Sequence, residues 1–162
     1  MVLSNHDKNK TCYFSGHKIL PQKKIERIIK RLHEEIDQLI KDGVTTYISG
    51  GAIGFDAICA SLVISKKQQG ADIRLIFALP CRNQDEKWAD RQKQLYHSLL
   101  SEADEIVYVS EEHTPDCMKE RNFYMVDKSA YCICALIKDI SETGQSVRYA
   151  RTQGLQVINV AK

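Results

Sequence analysis

Two hydrophobic periods alternate along this chain. Short apolar or β-branched runs are separated by longer stretches in which apolar residues recur every three or four positions. The first run, Thr11–Ser15, predicts a strand. Between Pro21 and Lys41 the apolar residues are Ile25, Ile28, Ile29, Leu32, Ile36, Leu39 and Ile40. They form one face of a 3.6-residue period and predict a helix. Glu26/Lys30 and Asp37/Lys41 fall at i, i+4 on its polar side, and Asp42-Gly43 ends it. A second strand is predicted over Thr45–Ser49, followed by a helix from Gly54 to about Gln69. That helix is apolar on nearly every side and is expected to be well buried. The pattern continues with a strand at Ile73–Leu79, stopped by Pro80, and a helix carrying Trp88, Leu95, Tyr96, Leu99 and Leu100. A strand at Glu105–Val109 precedes a helix opened by Thr114-Pro115-Asp116, a capping hydroxyl, a proline and an acid, that runs to about Lys128. Tyr131–Ile137, Gly144–Gln153 and Gln156–Val160 close the series as strand, short helix and strand.

Strands alternating with helices imply parallel βαβ units. The expected fold is α/β: a Rossmann-like, three-layer, open and mainly parallel sheet with helices on both faces. Residues 11–162 read as one domain. Met1–Lys10 is polar, has no signal-peptide apolar core, and reads as a flexible lead-in. In such sheets ligands bind beyond the carboxyl ends of the strands. Those ends carry Ser15-Gly16-His17-Lys18, Ser49-Gly50-Gly51, Pro80 to Gln84, Ser110 and the loop from Ile140 to Ser146.

Charge and composition narrow the function classes. Twenty-three Lys and Arg against 21 Asp and Glu leave a net charge of +2. No strong field draws the chain to nucleic acid or a membrane, so a nucleic-acid partner is not expected. No apolar stretch approaches the roughly 20 residues that span a bilayer. The six cysteines include no Cys-x-x-Cys pair and match no zinc spacing, so no metal is expected. Cys132 and Cys134, at i, i+2 on a strand, point to one face. Buried thiols in a cytoplasmic protein are the expectation.

The run Ser49-Gly50-Gly51-Ala52-Ile53-Gly54-Phe55-Asp56 joins a strand to a helix. Glycines there let a backbone approach a ligand closely, and the N–H groups of the new helix favour an anion. The run is neither Gly-x-Gly-x-x-Gly nor a Walker sequence. Asp56 competes with a bound anion; it either accepts ribose hydroxyls or caps its own helix. Tight strand–helix packing is the plain alternative for the glycines.

The residues Thr11 to Lys18, Ser49 to Asp56, Gln84 with Trp88, and Arg121 to Asp127 together resemble the YpsA-like branch of the SLOG superfamily, over about residues 11 to 160. The resemblance implies a Rossmann-like domain binding a nucleotide or nucleotide-derived ligand, of the ADP-ribose kind, at the glycine-rich strand end. It carries Ser15, Gly16, His17, Lys18, Ser49, Gly50, Gly51, Gly54, Asp56, Gln84, Trp88, Arg121, Asn122 and Thr143 as ligand-binding candidates. Phosphoribohydrolases of the superfamily use an arginine and a loop glutamate. Met118-Lys119-Glu120-Arg121-Asn122 resembles the first motif, so Arg121 matches the arginine. The second loop falls at Ser141 to Ser146. Ser141 and Glu142 stand where glycines are usual, and Ser146 stands where the glutamate would be. Cleaving an N-glycosidic bond needs a carboxylate to steady oxocarbenium charge or activate water. Glu142 is the one substitute candidate. Lys18 replaces the usual arginine, keeping its charge but not its planar fork.

Each remaining residue keeps two readings. His17 contacts a phosphate or works as an acid or base, or it caps a loop. Arg121 is a ligand contact or a solvent-facing residue. Trp88 and Gln84, read as one helical turn apart, line the cleft rim, or Trp88 is core. Asp127 opposes its helix dipole and pairs with Lys119 or Lys128. The leading function is a sensory or regulatory domain binding a nucleotide-derived ligand. The alternatives are a nucleotide N-glycosidic hydrolase and a DprA-like single-stranded nucleic-acid binder. A homo-oligomer is permitted by the apolar second helix and Phe123-Tyr124, and a protein partner is compatible with the sensory reading.

Overall fold

In a computed structural model, residues 3–162 are described. Six strands, β1 (Thr11–Gly16), β2 (Thr46–Ser49), β3 (Arg74–Leu79), β4 (Glu105–Tyr108), β5 (Tyr131–Ala135) and β6 (Gln156–Asn159), form one sheet in the order β4-β3-β2-β1-β5-β6. Every pairing is parallel. Five helices connect them: α1 (Ile25–Lys41), α2 (Phe55–Gln68), α3 (Asp90–Leu100), α4 (Cys117–Asp127) and α5 (Glu142–Thr152). The chain steps outward from β1 to β4, then returns through α4 to β5 on the other side of β1. The reversal of strand order lies between β1 and β5, where the crevice of a doubly wound sheet opens.

Alternation along the strands builds two cores. Cys12 and Phe14 of β1 face a cluster with Leu32, Ile36, Phe55, Val63 and Leu99, under α1, α2 and α3. Tyr13 points the other way, with Cys132, Cys134, Met125 and Val147, under α4 and α5. The three-layer reading therefore holds, and all six cysteines are buried free thiols. Cys132 and Cys134 share one face while Ile133 between them joins the opposite core, as a period of two requires.

Several local readings are corrected. α1 starts at Ile25, because Pro21–Lys24 forms a hydrogen-bonded turn, Lys24 N donating to Pro21 O at 2.9 Å. Asp37 does not pair within its helix but with Lys66 of α2, at 2.7 Å. α2 buries one face (Phe55, Asp56, Cys59, Ala60, Val63, Lys66), while Ile58, Leu62 and Ile64 are half-buried. Thr114 and Pro115 form a turn ahead of α4 rather than its first turn, and Asp116 stands at the cap without a side-chain bond. Residues 82–88 are turns, so Gln84 and Trp88 are not on one helix; α3 begins at Asp90. Within the expected lead-in, Leu3 is buried against the α4 side and His6 Nε2 lies 2.7 Å from Lys128 O.

Candidate functional site

The glycine run is shaped by packing rather than by an open anion cradle. Three of its amides already have partners. Gly51 N donates to Ser49 Oγ at 3.2 Å, and Ala52 N donates to Asp56 Oδ2 at 3.3 Å. Phe55 N, at the start of α2, donates to His17 O at 3.2 Å. Gly54, at φ +83°, lies so close to the Lys18 and His17 carbonyls that a Cβ would overlap them. Gly16 leaves room for the Phe55 ring, and Gly51 for Leu79 and Tyr96. The β1–α1 loop thus seals the N-terminus of α2. Asp56, which the sequence offered as a cap or a ligand contact, takes the place of an anion for Ala52.

The open space lies beside this wall. A cavity of about 360 Å³ stands at the β1/β5 switch point, lined by Ser15–Lys18, Ala52 and Asp56 on one side, Met118, Arg121 and Asn122 of α4 above, and Ser141–Thr143 at the start of α5. Of the ligand-binding candidates, Ser15, Gly16, His17, Lys18, Asp56, Arg121, Asn122 and Thr143 line it directly, and Glu142 joins them. Gly50 lies between two of these side chains. A Cβ there would lie 2.6 Å from Arg121 Nη1 and 2.8 Å from Asp56 Oδ2. Ser49 is fully buried, its Oγ bonded to Asp56 O and Gly51 N. Gly51 and Gly54 face a neighbouring apolar pocket of about 320 Å³ with Phe77, Trp88, Tyr96 and Leu99; Lys18 and Ala52 form a common wall. Gln84 Nε2 donates to Tyr96 Oη at 3.2 Å, and Trp88 packs edge-on to Tyr96 at 5.0 Å. These two candidates therefore sit outside the polar cavity.

Arg121 is not solvent-facing; it is 4% exposed. Its Nη1 donates to Gly50 O at 2.5 Å and its Nε to Asn122 Oδ1 at 2.8 Å. Burial lowers its pKa, opposed by the charges of Asp56 and Glu142. Asp56 is equally enclosed, at 6% exposure. Burial pushes its carboxyl up to about 6, against Arg121, the Ala52 amide and Lys18, which all favour the charged form. The helical spacing Cys117, Arg121, Tyr124, Met125 placed Arg121 on the buried face of α4 and was a readable signal. Met118 and Ser141, named in the sequence only within the matched motifs and not as ligand contacts, also line the cavity.

His17 resolves toward loop capping. Its Nε2 accepts from Ile137 N at 3.0 Å and Lys138 N at 3.2 Å, tying the end of β1 to the segment after β5. Partial burial and Lys138 lower its pKa, which suits a neutral ring accepting two amides. On the opposite wall Ser141 Oγ accepts from Gly144 N at 3.0 Å and caps α5. Ser146 is fully buried and absent from the cavity lining, its Oγ 2.9 Å from Tyr13 Oη. Asp127 accepts from Tyr149 Oη at 2.7 Å rather than pairing with a lysine, and Phe123 stacks on Tyr149 at 4.1 Å. Among the described residues no group of three His, Cys, Asp or Glu could hold a metal ion, and no helix is long and apolar enough to cross a membrane.

Comparison with known proteins agrees with this architecture. The chain is 33% identical over 129 residues to the SPbeta prophage-derived protein YoqJ of Bacillus subtilis, covering 72% of this chain and 75% of that one. Among solved structures it superposes on DNA processing protein A (DprA) of Streptococcus pneumoniae with a TM-score of 0.68 at 15% identity, spanning 93% of this chain and 50% of DprA. It also superposes on DprA of Helicobacter pylori, described for its single-stranded DNA binding mode, with a TM-score of 0.63 at 18% identity, over 91% of this chain and 63% of that one. At those identities the likeness establishes the fold. The YspA SLOG family model, YpsA, matches residues 17–156, and with the β1/β5 cleft and the YoqJ likeness this places the chain as a member of the YpsA family of SLOG proteins.

Proposed function

We propose that the chain is a binding domain for a nucleotide or nucleotide-derived ligand and acts as a sensor rather than a catalyst. The observation that carries this reading is the polar cavity at the β1/β5 switch point, where Arg121, Asn122 and Lys18 face the capped start of α5. A phosphate fits the α5 end, where Ser141, Thr143 and the helix dipole favour an anion and Lys18 adds charge. The sealed start of α2 is not available for that role. Against catalysis, Ser146 is bonded to Tyr13 and does not line the cavity, and Glu142 is an exposed residue at its rim.

A thermal-shift screen of nucleotides, dinucleotides and nucleotide sugars tests the reading. A ligand at a hundred times its Kd stabilises the native state by about 2.7 kcal/mol. No shift with any of them would sink it. Base release from AMP, lost in Arg121→Ala, would instead restore the hydrolase.

Single-stranded nucleic acid is kept as a second reading, because the described DNA binding of H. pylori DprA, on the same fold, weighs against dismissing it on net charge alone. Salt-dependent retention of an oligonucleotide would favour it.

A further inference from the structure

Asp56 and Arg121 are a buried anion and a buried cation that face one cavity without touching. The ion pairs among the described residues are Lys66–Asp37, Lys67–Asp104, Arg74–Glu105, Arg82–Glu111 and His97–Asp85. Every guanidinium nitrogen of Arg121 is therefore more than 4.0 Å from the Asp56 carboxylate. Yet a Cβ built on Gly50 would lie 2.6 Å from Nη1 and 2.8 Å from Oδ2, so the two groups stand close together on either side of that glycine. Their separation is more than 4.0 Å and at most about 5.4 Å, a gap that one oxygen entering from the cavity side can span. Each group also has capacity left over. Arg121 Nη2 donates to no described residue, and the Asp56 carboxylate accepts only from Ala52 N. These free atoms are not shut away from the cavity, so a bound partner can complete their hydrogen bonds.

The chemistry of that partner follows from the two neighbours. A phosphate oxygen accepts from Arg121 but is repelled by Asp56. An ammonium satisfies Asp56 but is repelled by Arg121. A hydroxyl accepts from the guanidinium and donates to the carboxylate, and it carries no charge into a buried site. A vicinal pair of hydroxyls can donate to the Asp56 carboxylate and accept from Arg121 Nη2, since Nη1 already donates to Gly50 O and Ala78 O. The neighbouring charges do not alter this ranking: Lys18 from the β1–α1 loop favours an ionised Asp56, and Glu142 from α5 favours a charged Arg121.

We propose that Asp56 and Arg121 form a sugar-diol subsite that selects the ribose over the deoxyribose form of the bound ligand. This rests on the nucleotide reading and orients it: sugar against the glycine run, phosphate toward α5. The diol subsite also predicts rejection of DNA, whose sugars lack the second hydroxyl.

The test compares matched probes on the full chain by calorimetry: AMP against 2′-deoxy-AMP, and ribose 5-phosphate against 2-deoxyribose 5-phosphate. Hydrogen bonds to charged groups predict at least a tenfold (roughly) weaker Kd for each deoxy partner. Asp56→Asn, which keeps an oxygen for the Ala52 amide, is expected to level the two. Equal affinities within each pair overturn the subsite and leave the nucleotide reading standing. Preference for ribose 5-phosphate with no binding of AMP does the reverse. Binding of no probe overturns both. The wild-type comparison needs no variant, so it decides even if Asp56→Asn misfolds.

Discussion

The backbone carbonyl of Lys18 packs directly against Cα of Gly54, so the loop after β1 closes the end of α2. Gly54 also sits at φ +83°, where a side chain is strained whatever the space. Gly54→Ala is therefore expected to cost at least about 2 kcal/mol, a fall in Tm of roughly 5 °C or more. Gly154 supplies the control. It has φ +82° and nothing within 4 Å of a Cβ, so Gly154→Ala is expected to cost only about 1 kcal/mol. Equal losses for the two variants, measured by thermal melts, would show that the Lys18 contact contributes nothing.

Asp56 makes stability depend on pH in an unusual direction. Its folded-state pKa of about 6 lies above the ordinary 3.8, so the folded state holds the proton more tightly than the unfolded state. The contribution is full below the ordinary value and is lost as pH rises through about 6. Because that folded-state value already contains the pull of Arg121, the neutral isostere in Asp56→Asn is expected to stabilise the unliganded protein above pH 6. The upper bound is about 3 kcal/mol at pH 8. The gain should vanish near pH 4. Melting curves of both proteins across that range check it; a destabilised variant at pH 8 would mean that the loss of Asp56 leaves Arg121 uncompensated.

Element order and the two-faced sheet were legible because alternation and helical period are local properties of sequence. Arg121 was legible in principle from its spacing with Cys117, Tyr124 and Met125. The Gly50 to Gly54 run pointed to the right wall of the cleft, but its role depended on side-chain direction. No spacing rule says that Asp56 turns back to Ala52, or that the His17 and Lys18 carbonyls plug α2. Trp88 was misplaced because residues 82–88 mix polar turn formers with one aromatic, and a period cannot be read through a turn. Asp127 and Asp37 found partners on other helices, Tyr149 and Lys66, which i, i+4 bookkeeping cannot foresee.

His17 holds the β1 end to the segment after β5 only while its ring is neutral. Nε2 accepts from two amides, and protonation would turn that acceptor into a donor. With its pKa lowered in the folded state by burial and Lys138, the contribution is full above the ordinary value of 6.5 and is lost as pH falls through the lower folded value. Amide protection at Ile137 and Lys138, corrected for intrinsic exchange, is expected to fall on acidification, while amides within β1 keep theirs. His17→Phe should abolish that pH dependence. Protection at Ile137 and Lys138 with the same pH dependence in His17→Phe as in the unmodified protein would remove His17 from this role.

Ser146 separates loss of a catalytic group from a different packing plan. It is fully buried, 2.9 Å from Tyr13 Oη, and does not line the cavity. A glutamate there would bury a carboxylate against Tyr13, in the α4–α5 core that also holds Cys132, Cys134 and Val147. Ser146→Glu is thus expected to cost about 3 kcal/mol or more and to release no base from AMP. Ser146→Ala, which removes only the hydroxyl contact to Tyr13, should cost about 1–2 kcal/mol and leave nucleotide affinity unchanged, since Ser146 does not line the cavity. Denaturant melts and base-release assays on both variants measure these outcomes. A stable, base-releasing Ser146→Glu protein would show that position 146 reaches the ligand after all and that the fold carries hydrolase machinery lacking only its carboxylate.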